Sequence, residues 1–323
     1  MAGRLLPAAQ DERPQERTLI ARKPLKGAPG GPGPSVIGLF GPTASGKTAV
    51  GQALAERIRA ELVAADSMQV YRGLPLLTNQ DAGVRLAGIW PLDRQGTVGE
   101  FQQLAHEAID EIVAAGQTAV VVGGSGLWFQ AALTGVELPA DVPSGARARW
   151  ERLYDRRGAA TAHALLERCD PRAAARVHPN DRKRVGRALE LQRGGLPPPE
   201  RSRELWSSGL RRPTILIGLV CDRELLADRI GRRVEAMAAA GAGEEARRAI
   251  TAAPSRTARA ALGLQAFASD DLDAVKAAHR RYARRQMTWL RKTPGIELID
   301  TSELAAAQAA ERIGALLGDT AAR

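Results

Sequence analysis

The chain has 323 residues, 44% of them hydrophobic but only 4% aromatic, so it can build a sizeable core packed mainly by Ala, Leu and Val. Lys and Arg number 46 against 36 Asp and Glu; the formal charge of +10 and pI near 10.3 call for a polyanionic partner, nucleic acid or an anionic membrane. Two isolated cysteines, Cys169 and Cys221, exclude a disulfide framework, four scattered histidines argue against a structural zinc site, and no apolar run has the length of a membrane span or a secretory h-region, so a reducing cytoplasm is the expected location.

Residues 1–34 read as a disordered basic tail, ending in the Gly/Pro-rich run Gly27 to Pro34, which sustains neither helix nor strand. The apolar run Val36-Ile37-Gly38-Leu39-Phe40 then enters Gly41-Pro42-Thr43-Ala44-Ser45-Gly46-Lys47-Thr48, and a helical period follows through Val50, Ala53, Leu54 and Ile58. Strand, glycine-rich loop and helix in that order give the G-x-x-x-x-G-K-[ST] spacing its mechanism. Gly41 and Gly46 permit the tight turn, and successive amides point into a concavity at a helix N-terminus that favours negative charge. Lys47 adds a full positive charge, and the Thr48 hydroxyl suits a Mg2+ ion bridging phosphate oxygens. The loop is built for a polyphosphate.

A second strand is expected over Glu61 to Ala65, ending at Asp66-Ser67-Met68-Gln69-Val70-Tyr71-Arg72-Gly73. Phe101, Leu104, Ala108 and Ile112 mark a helix over 97–115, and Ala119-Val120-Val121-Val122 a strand running into Gly123-Gly124-Ser125-Gly126. Strands alternating with helices imply a parallel sheet whose ligands bind beyond the carboxyl ends of its strands. The phosphate loop, Asp66 and Ser125 each follow a strand, so all three are expected to line one crevice.

Residues 142–212 carry 17 Lys and Arg against 8 Asp and Glu, and their apolar spacing is helical. They read as a basic helical insertion dividing an α/β core of 35–141 and 213–323. Within it Lys183 and Arg187 lie four apart with Arg184 beside them, either a solvated face or a nucleic-acid contact. The core resumes with a strand over Thr214 to Val220. One of Arg229, Arg232 and Arg233 on the next helix is placed to clamp a diphosphate, and the other two read as surface arginines. Residues 251–273 are weakly patterned. A helix from about Ala274 to Lys292 follows, with arginines at i,i+4 and with Tyr282 and Trp289 on one face. These two rings either stack on bases or anchor the helix to the core. Ile296 to Ile299 reads as a last strand, followed by a capping helix.

Taken together, these motifs resemble the tRNA dimethylallyltransferases, also called isopentenyltransferases. The resemblance spans roughly 35 to 300. It rests on the phosphate loop, on Asp66-Ser67-Met68-Gln69-Val70-Tyr71-Arg72-Gly73, on Val122-Gly123-Gly124-Ser125-Gly126-Leu127, on His178-Pro179-Asn180-Asp181, on Arg187-Ala188-Leu189-Glu190 and on Tyr282 through Arg291. It implies a P-loop NTPase-like parallel sheet with a helical insertion. It also implies transfer of a dimethylallyl group from dimethylallyl diphosphate to the N6 amine of the adenosine beside the anticodon, with Mg2+, by a cytoplasmic monomer. By resemblance Asp66 is the general base, Ser125 stands near the reacting centre where the family usually has threonine, and Arg233 holds the diphosphate with Gly41, Thr43, Ala44, Ser45, Gly46, Lys47 and Thr48. The implied tRNA contacts are Asp66, Ser67, Met68, Gln69, Arg147, Lys183, Arg184, Arg187, Arg284, Arg285, Gln286, Thr288, Trp289 and Arg291, all on the anticodon arm. Where the family usually reads Gly-Thr-Ala-Lys-Pro after the Asp66 motif, this chain has Leu77-Thr78-Asn79-Gln80, and its usual paired histidines give way to Gly88-Ile89-Trp90-Pro91-Leu92-Asp93. A small-molecule kinase using the same loop, or an RNA-binding protein with a vestigial nucleotide site, are the alternatives from other classes.

Overall fold

The computed structural model describes residues 35–135, 146–196 and 209–321; the tail read over residues 1–34 lies outside them. Strand β1 (Val36–Phe40) is buried along its whole length and leads through the phosphate loop into α1 (Lys47–Arg57). Strand β2 (Ala60–Ala64) is followed by the short helix α2 (Pro75–Thr78) and by α3 (Val98–Ala114). Helix α3 begins with a reciprocal capping box: the Thr97 hydroxyl accepts from the Glu100 amide, and the Glu100 carboxylate accepts from the Thr97 amide. Strand β3 (Thr118–Gly123) then turns into α4 (Gly126–Leu133).

The segment between β3 and β4 (Thr214–Val220) is helical where it is described: α5 (Ala146–Cys169, broken at Gly158), α6 (Pro171–Ala174) and α7 (Arg182–Arg193). These helices enclose a small core of their own around Ala162, Leu166, Val185 and Leu189, separate from the two cores of the sheet. An ion pair from Glu151 on α5 to Arg256 ties this unit to the rest of the chain. Beyond β4 come α8 (Arg223–Ala239), α9 (Ala242–Thr251), α10 (Leu264–Ala268), α11 (Leu272–Arg291), β5 (Ile296–Asp300) and α12 (Ala306–Ala321).

All five strands are parallel in the order β2-β3-β1-β4-β5. Alternate residues of the strands face opposite cores. Ile37, Leu39, Val120, Val122, Ile217 and Leu219 pack with α1 and α12. Val36, Phe40, Val63, Val121 and Leu216 pack with α3, α4 and α8 to α11. Placing β1 between β3 and β4 leaves a gap at the carboxyl ends where the connections part, and ligands of open parallel sheets bind there.

Candidate active site

Three connections meet at that gap. The loop after β1 alternates its handedness, with Ala44 at φ 65° and Gly46 at φ 85°, so its amides turn inward ahead of α1. Ala44 is a non-glycine residue in the left-handed region, a strain of the kind that persists at ligand sites. Lys47 folds back over the loop and donates from Nζ to the Pro42 carbonyl at 2.7 Å. After β2, the Asp66 carboxylate accepts from the Met68 amide at 2.9 Å. After β3 comes Gly124, whose carbonyl accepts from both Gln286 Nε2 at 2.9 Å and the Tyr282 hydroxyl at 3.2 Å.

These groups line one cavity of about 180 Å³ that includes Thr43, Lys47, Thr48, Asp66, Arg233 and Tyr282. Its electrostatics are those of crowded, desolvated charge. Burial, reinforced by Arg233, pushes Lys47 down to about 7 against the pull of Asp66. Burial raises Asp66 above the usual carboxylate range, opposed by the Met68 amide, Lys47 and Arg233. Arg233 is lowered by burial, partly offset by Asp66 and Asp81, and among the described residues its Nε has no hydrogen-bond partner. A buried, unpaired guanidinium donor beside an ammonium suits an anionic ligand. His279, also in the cavity lining, donates from Nδ1 to the Val275 carbonyl, and burial holds it down to about 4, so it stays neutral. Burial likewise raises Tyr282 well above the ordinary phenol value and keeps it a neutral donor.

The structure separates the three arginines of α8. Arg233 reaches the cavity. Arg232 pairs with Asp228 at 2.5 Å on the surface. Arg229, expected as a surface arginine, is half-buried and donates to the Thr301 and Ser302 carbonyls at 3.0 and 3.2 Å, bracing the end of β5. Of the other loop residues, Thr43 and Thr48 face the cavity, whereas the Ser45 hydroxyl is buried without a partner among the described residues. Ser125 stands just past the lining residue Gly124, and its hydroxyl donates to Ser67 at 3.4 Å.

The residues expected to contact tRNA fall into different settings. Gln286 is 3% exposed; its Oε1 accepts from the Thr43 amide at 2.7 Å and its Nε2 donates to Gly124, so it locks the phosphate loop to α11 from within the cavity lining. Trp289 is half-buried and anchors the helix: its ring approaches Gly126 so closely that a Cβ there would meet it at 2.0 Å. Gln69 spends its amide inside the protein, donating to the Thr78 and Asn79 carbonyls at 3.1 and 2.9 Å. Arg187 is paired at 2.8 Å with the buried Glu190, so its charge is largely answered within α7. Arg284, Arg285, Thr288 and Arg291 on α11, and Lys183 and Arg184 on α7, are exposed and continue the basic surface; Arg184 lies 3.4 Å from Asp181. Arg147 falls at the start of α5, and its side chain lies outside the described residues.

What sequence reasoning missed is Glu245. It is 4% exposed, and its two oxygens accept from the Leu76 and Leu77 amides at 3.0 and 2.9 Å. Nothing local in the sequence marks a hydrogen bond across so long a separation.

The family model described as IPP transferase matches residues 69–293. A tRNA dimethylallyltransferase of Acidothermus cellulolyticus is 36% identical over 296 residues, covering 86% of this chain and 92% of its own. One of Streptomyces coelicolor is 38% identical, covering 82% and 90%. Among solved structures, the tRNA isopentenylpyrophosphate transferase of Bacillus halodurans aligns with a TM-score of 0.63 at 29% identity, over 89% of this chain and 97% of that one. A eukaryotic dimethylallyltransferase acting on tRNA shares the fold, with a TM-score of 0.73 at 24% identity over 88% and 79%.

Proposed function

This chain belongs to the tRNA dimethylallyltransferase family, and on that premise we propose that its cavity joins a dimethylallyl group to the exocyclic N6 amine of the adenosine adjacent to the anticodon. The chain is an enzyme that transfers a prenyl group to tRNA. The donor we assign is dimethylallyl diphosphate. The observation that carries this reading is that Asp66, Lys47 and Arg233 line one cavity.

In the step itself, the N6 lone pair forms a bond to C1 of the donor while the C1–O bond breaks and its electron pair leaves on pyrophosphate. The amine is a weak nucleophile because its lone pair is delocalised into the purine. Asp66, with its basicity raised by burial, takes the amine proton as the C–N bond forms. Lys47, Arg233 and the loop amides hold the charge that develops on the departing oxygen; removing one such donor typically costs about 10²–10³ in rate. Magnesium takes few protein ligands where substrate phosphates supply the rest, and the Thr48 hydroxyl at the cavity fits that donor set. Thr48 would hold a Mg2+ ion there, and the ion would add positive charge against the leaving group. The adenine must leave its stack to reach Asp66. We assign the grip on the anticodon arm to the exposed cations of α7 and α11, whose phosphate contacts fix position without reading sequence. We place the enzyme in the cytoplasm as a monomer; no helix among the described residues is long and apolar enough to cross a membrane.

A phosphate-loop kinase would account for Lys47 and Thr48 but leave Asp66 and the basic helices without a part, and the family relatives do not favour it. Incubation with unmodified tRNA and labelled dimethylallyl diphosphate tests the proposal. Label on N6 of the anticodon-adjacent adenosine, with equimolar pyrophosphate released, is the expected result; unlabelled tRNA would overturn it.

A further inference from the structure

One cation of α11 stands apart from the rest of the basic surface. Among the described residues lining the cavity, only Ala260 and Arg285 are exposed, so these two mark where it opens. Arg284 and Arg291 are exposed as well but take no part in the lining. Arg285 makes no ion pair among the described residues; an aromatic ring holds it instead, with Cζ 5.5 Å from the centroid of Tyr282 on the same helix. At that distance a guanidinium is attracted by the negative face of the ring. Tyr282 is itself fixed, because its hydroxyl donates to the Gly124 carbonyl at 3.2 Å.

Asp66 acts on the same tyrosine: burial raises the Tyr282 phenol, Asp66 raises it further, and Arg285 opposes them. Tyr282 therefore neighbours both the reacting carboxylate and the guanidinium, and of the three Arg285 is the exposed one. Adenine is joined to its ribose across the ring system from N6. With N6 at Asp66, the base extends from the reacting centre towards the mouth. Ala260 offers it a methyl group there, whereas Arg285 offers a plane. Splayed-out bases lie on guanidinium planes as they do on aromatic rings. A flipped base has lost the stacking of its neighbours, and a flat side chain replaces part of it.

We propose that Arg285, braced by Tyr282, stacks on the flipped adenine at the cavity mouth and so presents N6 to Asp66, in place of the phosphate contact assigned to the other cations of α11. The inference rests on the tRNA-prenylation reading given above. Two substitutions separate plane from charge. Arg285→Lys keeps the charge and loses the plane; Arg285→Phe keeps a plane and loses the charge.

The test measures single-turnover transfer from dimethylallyl diphosphate at saturating unmodified tRNA, with tRNA affinity titrated against salt on the same preparations of the full chain. The stack gives a rate about tenfold lower in Arg285→Lys and within about threefold of wild type in Arg285→Phe, the scale of base stacking on a flat side chain. The slope of log affinity against log salt stays at the wild-type value in Arg285→Phe. A phosphate contact gives the reverse, with a wild-type rate in Arg285→Lys and a slope reduced by about one unit in Arg285→Phe. Either of those results overturns the proposal, and so does an equal loss of rate in both variants. A wild-type chain that transfers nothing to tRNA overturns the prenylation reading, and this proposal with it.

Discussion

Replacing Gln286 separates an internal brace from a contact with tRNA. In Gln286→Leu, the Gly124 carbonyl still accepts from the Tyr282 hydroxyl, but the Thr43 amide loses its acceptor inside a buried site. An orphaned buried N–H costs about 1–3 kcal/mol, and one further hydrogen bond is removed at about 1 kcal/mol, so the variant should be destabilised by roughly 2–4 kcal/mol. Gln286→Glu restores an acceptor for Thr43 but not a donor for Gly124, so it should recover part of that loss. Thr43 lies at the start of the phosphate loop, so KM for the prenyl donor should rise in the leucine variant. Its affinity for tRNA, measured at equilibrium without donor, should stay within about twofold of wild type, since the grip on the anticodon arm is assigned to exposed cations and Gln286 is 3% exposed. Chemical denaturation, donor kinetics and tRNA titration on the same preparations decide the matter. Wild-type stability combined with weakened tRNA binding would refute the brace and return Gln286 to the interface.

Two further outcomes are expected. Changing Lys183 and Arg184 together to Ala should reduce the slope of log affinity for tRNA against log salt by about one to two units, one for each phosphate left without its cation, with kcat at saturating tRNA maintained; an unchanged slope would remove α7 from the interface. Because burial beside Arg233 holds Lys47 down to about 7, kcat/KM for the donor should fall as pH rises through that value and the ammonium is lost. Bound diphosphate favours the ammonium, so the same limb should lie at higher pH in kcat; an alkaline limb at the ordinary lysine value in both profiles would contradict the burial of Lys47 beside Arg233.

Much of the architecture was legible because its signals are local. Short apolar runs marked β1, β3 and β4, the first two running into glycine and the third following Pro213, and the phosphate loop announced itself through its spacing. Asp66 could be placed on the crevice because a residue directly after a parallel strand has few other places to go. The arginines of α8 show where such reasoning stops: 229, 232 and 233 share one helix, and only packing reveals that one braces β5, one faces solvent and one enters the cavity. Residues 251–273 gave a weak pattern because their core positions include Ala258 and Ala261, small side chains that add little to any periodicity. In the stretch where the family usually carries paired histidines, Trp90 is 2% exposed and packs edge-on to Tyr71 and Trp128, so an aromatic cluster occupies that ground. Gln286, Gln69 and Glu245 were the least legible. Polar residues on helices or after strands look like surface, and the backbone groups they satisfy lie far away in sequence.

The most direct test of the central claim is single-turnover prenyl transfer by Asp66→Asn, started from a preformed complex with tRNA and dimethylallyl diphosphate. The amide is nearly isosteric and can still accept from the Met68 amide, but it cannot take the proton of the attacking amine. Loss of the base should slow the step by about 10²–10⁴ while both substrates bind as before. Transfer at the wild-type rate would show that the proton leaves by another route.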